Sequence, residues 1–251
     1  MKILIHKADQ KLYLPIISVI AEDKSNIVMT GSLHGNAFDT FNQVMPDMVI
    51  LPIYEYTQEL HELVNAFKDK SRFALFMGDI NNDSLIDYYN KNNIMIISKE
   101  SKKQLKLPNH ITYDYLYDSN LFSNKNLQRN DKLLVILSSN NDTNHKKLDN
   151  LLYPHTKSKL CLINNPDFEH AQNIGLANEL DISHLMNTYG SLIDIDNNYI
   201  VEAKVCGIKN IELEDSVPIG ESKEKTLDID VNKCDTKYFV QNKLLPIIQG
   251  K

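Results

Sequence analysis

The sequence predicts an α/β protein built from two doubly wound domains. At 251 residues the chain exceeds one average domain and suits two of roughly 120 residues each. Apolar strand-like runs alternate with amphipathic stretches, which is the signature of parallel sheet joined by helical crossovers. The alternation fades in a polar Asn- and Lys-rich region and then starts again. With 42% hydrophobic and 24% charged residues, the composition is that of a soluble globular protein with two modest cores.

The first domain is expected over residues 1–128. It opens with a strand at Lys2–His6, followed by Leu12–Ala21, a helix or an extended segment interrupted by Pro15. Asn26–Thr30 is a short strand ending in Gly31-Ser32-Leu33-His34-Gly35, and Asn36–Met45 is helical. Met48–Pro52 reads as a buried strand. Gln58–Lys68 is a helix with Leu60, Leu63, Val64 and Phe67 on one face, and Arg72–Met77 and Ile94–Ser98 add two strands. From Ser101 to Asn130 the periodicity fades, apart from one alternating run at His110–Leu116. Ser123–Asp131, nearly free of apolar residues, reads as the linker.

The second domain, residues 129–235, restarts the pattern: a strand at Lys132–Ser138, a helix at His145–Leu152, a strand at Lys159–Asn164 and a helix at Glu179–Thr188. Beyond Ile211 the chain turns acidic, and Glu221–Lys225 reads as a solvated charged surface. Over residues 236–251, Tyr238, Phe239, Leu244, Leu245 and Ile248 recur at helical spacing, so this helix needs an apolar partner, with the first domain as candidate. Pro246 should kink or shorten it.

A net charge of −6 without a basic block argues against nucleic acid or an anionic membrane as the main partner. Cys161, Cys206 and Cys234 are odd in number and lack metal-ligand spacing, which favours free thiols in a reducing compartment, the cytoplasm. No apolar run reaches about 18 residues, so no transmembrane segment is expected, and MKILIHKADQ reads as a strand rather than a leader.

The most informative stretch is Tyr189–Ile211. It reads as a strand (Ser191–Ile195), a polar turn (Asp196, Asn197, Asn198), a helix from about Tyr199 to Cys206, a terminating Gly207 and a strand from Lys209. Helix-start amides lack intrahelical partners, so a strand–turn–helix of this kind favours an anion such as phosphate. Glu202 follows Asn198 by four positions and Tyr199 by three, placing all three on one face. A carboxylate set back by one turn suits the two hydroxyls of a ribose. Together these features suggest a nucleotide-diphosphate site; the alternative is a surface helix with a solvated Glu202. Asp194-Ile195-Asp196 spells a metal-binding Asp-x-Asp, but the triplet recurs at Asp228–Asp230, and no divalent metal or other cofactor is expected to be essential. His34 and Asp79 each follow a strand end, where ligands bind in open parallel sheets, and are the candidate catalytic bases.

The second half resembles the nucleotide-sugar-binding domain of GT-B-type glycosyltransferases. LLYP at Leu151–Pro154, LCLINNPDFEHAQNIG at Leu160–Gly175 and IDIDNNYIVEAKVCGIKNI at Ile193–Ile211 carry the resemblance, and Glu-Ala-x-x-x-Gly at Glu202–Gly207 is its most specific part. It implies two Rossmann-like domains facing a crevice, with Glu202 holding the donor ribose and Asp194 near the donor sugar. Around them, Tyr199, Asn198, the loop residues Asn173 and Gly175, and His170 are candidate donor contacts. The arginine and lysine that usually neutralise the donor diphosphate are not evident at Ser138-Ser139-Asn140-Asn141, where Lys146 or Lys147 either substitutes or is solvated. The expected activity is sugar transfer from a nucleotide-diphosphate sugar to a carbohydrate or other hydroxyl acceptor, in surface glycan synthesis, with inversion or retention left open. The alternatives are an epimerase or hydrolase on the same architecture, or a silent binding or scaffolding protein.

Overall fold

The computed structural model describes residues 1–6, 10–31, 37–53, 58–77, 83–99, 109–113, 115–136, 160–163, 172–175, 177–195, 197–212, 223–226 and 228–249. The chain forms two compact units, Met1–Tyr117 with Asn232–Lys251, and Asp118–Val231.

In the first unit, β1 (Lys2–His6), β2 (Ile27–Gly31), β3 (Met48–Ile53), β4 (Arg72–Met77), β5 (Met95–Lys99) and β6 (His110–Tyr113) form a sheet in the order β2-β1-β3-β4-β5-β6. Every pairing is parallel. Side chains alternate across a strand, and both faces here are apolar, as parallel sheet requires. Ile3, Ile5, Met48, Ile50, Phe76 and Ile97 face one core together with Ile16, Val19 and Ile20 of α1 (Gln10–Glu22). Leu4, Val49, Leu51, Leu75 and Ile96 face the other. There they meet Phe41 of α2 (Ala37–Val44), Leu63, Val64 and Phe67 of α3 (Gln58–Phe67), and Tyr89 of α4 (Asp83–Lys91). Helices on both faces make the unit doubly wound.

The segment left open between helix and extended chain is the helix α1. Pro15 lies inside it and gives no N–H to the Lys11 carbonyl, yet burial of three apolar side chains on the sheet holds the helix. At the C-terminus, α7 (Thr236–Phe239) runs into a π-helical stretch, Val240–Leu244, and then α8 (Leu245–Ile248). Pro246 cannot donate to the Asn242 carbonyl, and the helix widens just before it. Phe239, Val240, Leu244 and Ile248 bury against the core that contains Ile3 and Ile5.

In the second unit, β7 (Leu133–Ile136), β8 (Leu160–Ile163), β9 (Gln172–Gly175), β10 (Ser191–Asp194) and β11 (Lys209–Asn210) form a sheet in the order β11-β10-β7-β8-β9, again parallel throughout. The fold is α/β in both units. Two helices are described here, α5 (Glu179–Thr188) and α6 (Ile200–Cys206). The helix expected at His145–Leu152 lies outside the described residues. Among those residues, no helix is long and apolar enough to cross a membrane.

Ser123–Asp131 differs from the expected linker, because it belongs to the body of the second unit. Its scarcity of apolar residues is offset by polar anchoring. Asn187 of α5, only 1% exposed, accepts from the Lys125 N–H at 2.8 Å and donates to the Ser123 carbonyl at 3.0 Å. The Arg129 guanidinium reaches three further carbonyls, described below.

Candidate functional site

The site helix is set by the end of β10. Asp194, 6% exposed, turns its carboxylate back so that Oδ2 accepts from the Tyr199 N–H at 2.6 Å. Asn197 makes the turn possible at φ +56°, a left-handed conformation that Asn tolerates better than most residues. The Lys225 ammonium donates to its Oδ1 at 2.6 Å. Tyr199 is the N-cap of α6, makes no side-chain cap bond, and leads directly into the helix. The turn amide read as part of a phosphate cradle is thus already bound by a carboxylate of the chain itself.

Tyr199 is the centre of an acidic neighbourhood. Its hydroxyl donates to Glu179 Oε1 at 2.8 Å, and its ring lies 6.3 Å from that of Phe122. Burial drives the phenol pKa strongly upward, and the negative charges of Glu179, Glu202 and Asp194 push it the same way. Glu179 is held at the first turn of α5 by a capping box. Asn178 accepts from the Asp181 N–H at 3.0 Å, and Asp181 accepts from the Asn178 N–H at 3.3 Å. Glu202 sits in the first turn of α6, 3% exposed, and is engaged within the fold. Asn198 is exposed.

The far end of α6 is held as firmly. Gly207 caps it at φ +73°, a conformation that favours glycine. Arg129 donates to the Met186 and Tyr189 carbonyls at 2.5 and 3.0 Å, and to the Cys206 carbonyl at 2.6 Å. One planar cation therefore caps the C-terminal ends of both α5 and α6. Cys206 is fully buried, and burial pushes its thiol up to about 11, partly opposed by Arg129.

Of the sequence-predicted residues, the structure brings Asp194, Tyr199 and Glu202 into one neighbourhood and leaves Asn198 on its surface. Asn173 and Gly175 differ from the expected loop: they lie in β9, where Leu162 pairs with Asn173 and Ile163 with Gly175 across a register shift. The two small polar and glycine positions had masked a short edge strand. His34, Asp79, His170, Asp196, Lys146 and Lys147 lie outside the described residues. Among the described residues, no group of three or more His, Cys, Asp or Glu is placed to hold a metal. Sequence reasoning missed Glu179 and Arg129. The Asn178/Asp181 spacing marks where α5 starts and hence where Glu179 sits, but nothing local announces the role of Arg129.

No protein-family model matches the chain, and no curated protein matches it in sequence. Solved structures do match. One is a Listeria monocytogenes protein assigned as a UDP-N-acetylglucosamine 2-epimerase. The TM-score is 0.51 at 10% identity, over 86% of this chain and 80% of that one. The S. aureus MnaA–UDP structure matches at TM-score 0.51 and 11% identity, over 97% of this chain and 88% of that one. The fold is GT-B-like. A complex of GtfA/B with UDP and GlcNAc aligns far more loosely, at TM-score 0.36 and 10% identity, over 70% of this chain and 45% of that one.

Proposed function

We propose that this chain binds a nucleotide-diphosphate sugar, with UDP as the nucleotide, and that Glu202 takes the ribose hydroxyls. The observation that carries the reading is the placement of Glu202: a buried carboxylate in the first turn of the helix after β10, beyond the carboxyl end of a parallel strand. The chemistry of the neighbourhood supports a diol. Glu179, Asp194 and Glu202 are hydrogen-bond acceptors, so a ligand there must bring donors, which hydroxyls supply and phosphate oxygens do not. One matching structure holds UDP and another is of a protein assigned as a UDP-sugar epimerase, which supports the choice of nucleotide.

The reaction we assign is transfer of the sugar to an acceptor hydroxyl, the activity that the Glu-Ala-x-x-x-Gly resemblance implies. The acceptor oxygen loses its proton to a base, for which His34 and Asp79 are the candidates. That oxygen bonds to the anomeric carbon as the bond from this carbon to the phosphate oxygen breaks, and the nucleoside diphosphate departs with the bonding electrons. In this reading no divalent metal is essential. The 2-epimerase assignment of the Listeria structure favours a second reading, epimerisation of the same ligand.

A thermal-shift screen of nucleoside diphosphates and their sugars on the full chain tests binding. At a hundredfold excess over Kd a ligand adds about 2.7 kcal/mol of apparent stability. The expected result is stabilisation by UDP or a UDP-sugar that is lost in Glu202→Ala and in the near-isosteric Glu202→Gln. A folded protein that no nucleotide stabilises would remove the reading. Release of UDP only with an acceptor identifies transfer, isomerised sugar without an acceptor identifies epimerisation, and binding without turnover identifies a silent binding protein.

A further inference from the structure

The second unit contains a cavity of about 220 Å³ against the side of α6, outside the neighbourhood of Tyr199 and Glu179. We propose that it is a binding site for a compact oxyanion, a carboxylate or phosphate group on a small metabolite.

The cavity forms because the sheet edge is extended beyond β11. Glu212 donates its N–H to the Lys223 carbonyl at 3.0 Å and Lys225 donates to the Asn210 carbonyl at 2.8 Å, so residues 223–225 run antiparallel along the edge. Asn210, paired with Leu192 of β10, is 6% exposed and lines the cavity. Its amide nitrogen is buried with no acceptor. Leaving a buried donor unpaired is costly, and a polar amide at this position is explained when an acceptor occupies the cavity.

The remaining lining fits an anion. Lys204 and Lys225 are the two basic residues of the lining, against one acidic residue, Glu224, and Thr226 is a further polar one. Both ammoniums are oriented by contacts of their own: Lys204 donates to the Ile229 carbonyl at 3.2 Å and Lys225 to Asn197. Ile200 and Ile208 supply an apolar wall for a short carbon skeleton. The volume equals that of about seven liquid waters. That lies below the roughly 300 Å³ at which pockets for drug-sized ligands begin, so a nucleotide sugar does not fit. Since Ile200 and Lys204 flank Glu202 on α6, an occupant touches the helix that carries the proposed ribose contact.

The test is amide NMR of the ¹⁵N-labelled full chain, titrated separately with inorganic phosphate and with acetate to distinguish the two sources of oxyanion. Saturable shifts are expected at Ile208, Asn210 and Lys225. Asn210→Asp, which replaces the donor by a charge of the ligand's own sign, should weaken binding by about tenfold or more, and so should Lys225→Glu. Lys225→Glu alters a partly exposed side chain and decides the matter if Asn210→Asp does not fold. Shifts that fail to saturate with either anion, or that are equally strong in the variants, overturn the proposal. Glu202→Gln separates it from the nucleotide reading: oxyanion binding persists there while nucleotide binding is lost, and each can fail without the other.

Discussion

Replacing Arg129 by alanine should loosen α6 while leaving the first unit untouched. The guanidinium makes three charge-assisted hydrogen bonds, to the carbonyls of Met186, Tyr189 and Cys206. Each such bond is worth about 1.5–3 kcal/mol, so their gross sum is about 5–9 kcal/mol. Arg129 is half-buried, and water replaces part of what is lost, which brings the expected net cost to about 3–4 kcal/mol. Two units need not unfold together, so a global denaturation midpoint would blur the effect. Hydrogen exchange read by mass spectrometry localises it: protection over residues 200–207 should fall by roughly a hundredfold or more. The strands β1 and β3 should exchange as in the wild type. Arg129→Lys should recover less than half of the loss, because one ammonium lacks the planar fork that bridges two helix ends. Protection over 200–207 within threefold of wild type in Arg129→Ala would refute the capping argument.

Gly190 tests the stretch Ser123–Asp131, a strap across the ends of α5 and α6, from its other side. A Cβ there would lie 2.6 Å from the Asn130 carbonyl oxygen, closer than real contacts allow, so Gly190→Ala must displace backbone at a cost of about 1–3 kcal/mol, read as earlier urea unfolding of the second unit. Wild-type stability in that variant would show that the strap yields freely. For Cys206, burial raises the thiol from an ordinary 9.0 to about 11. The unfolded thiol therefore ionises first, the native state binds more protons between those values, and stability falls as pH rises from about 9 to about 11, by roughly 2–3 kcal/mol in all. The difference in urea stability between wild type and Cys206→Ala should shrink from pH 7 to pH 10.5, and a constant difference would contradict the burial assignment.

Elements whose formation depends on apolar periodicity were legible from sequence. Arg72–Met77 and Glu179–Thr188 have the same bounds in sequence and structure, and Leu63, Val64 and Phe67 face the core as their spacing required. What escaped was held by polar contacts. The stretch Ser123–Asp131 resembles a linker because it lacks apolar residues, but Asn187 and Arg129 anchor it through backbone carbonyls and amides far away in sequence. α4 went unassigned, although among its described side chains Tyr89 buries completely. β9 was hidden by Asn173 and Gly175, residues that weaken a strand but are tolerated at a sheet edge. In the candidate site, the strand–turn–helix and Gly207 were readable, whereas the partners of Tyr199 depend on tertiary packing.

That packing separates two ideas that the sequence joins at the start of α6, an anion cradle and a diol acceptor. Asp194 already accepts from the Tyr199 N–H, and a second anion there would face the charges of Glu179, Asp194 and Glu202. Those charges also raise the Tyr199 phenol and keep it a neutral donor to Glu179. A neutral, hydroxyl-rich group meets no such repulsion and satisfies carboxylate lone pairs directly. Because α6 is clamped at its start by Asp194 and at its end by Arg129 and Gly207, Glu202 is positioned before any ligand arrives, and little ordering cost remains to be met on binding. On the proposed reading Glu202 takes the ribose, and that reading requires the diphosphate of the same ligand to meet positive groups away from this helix start.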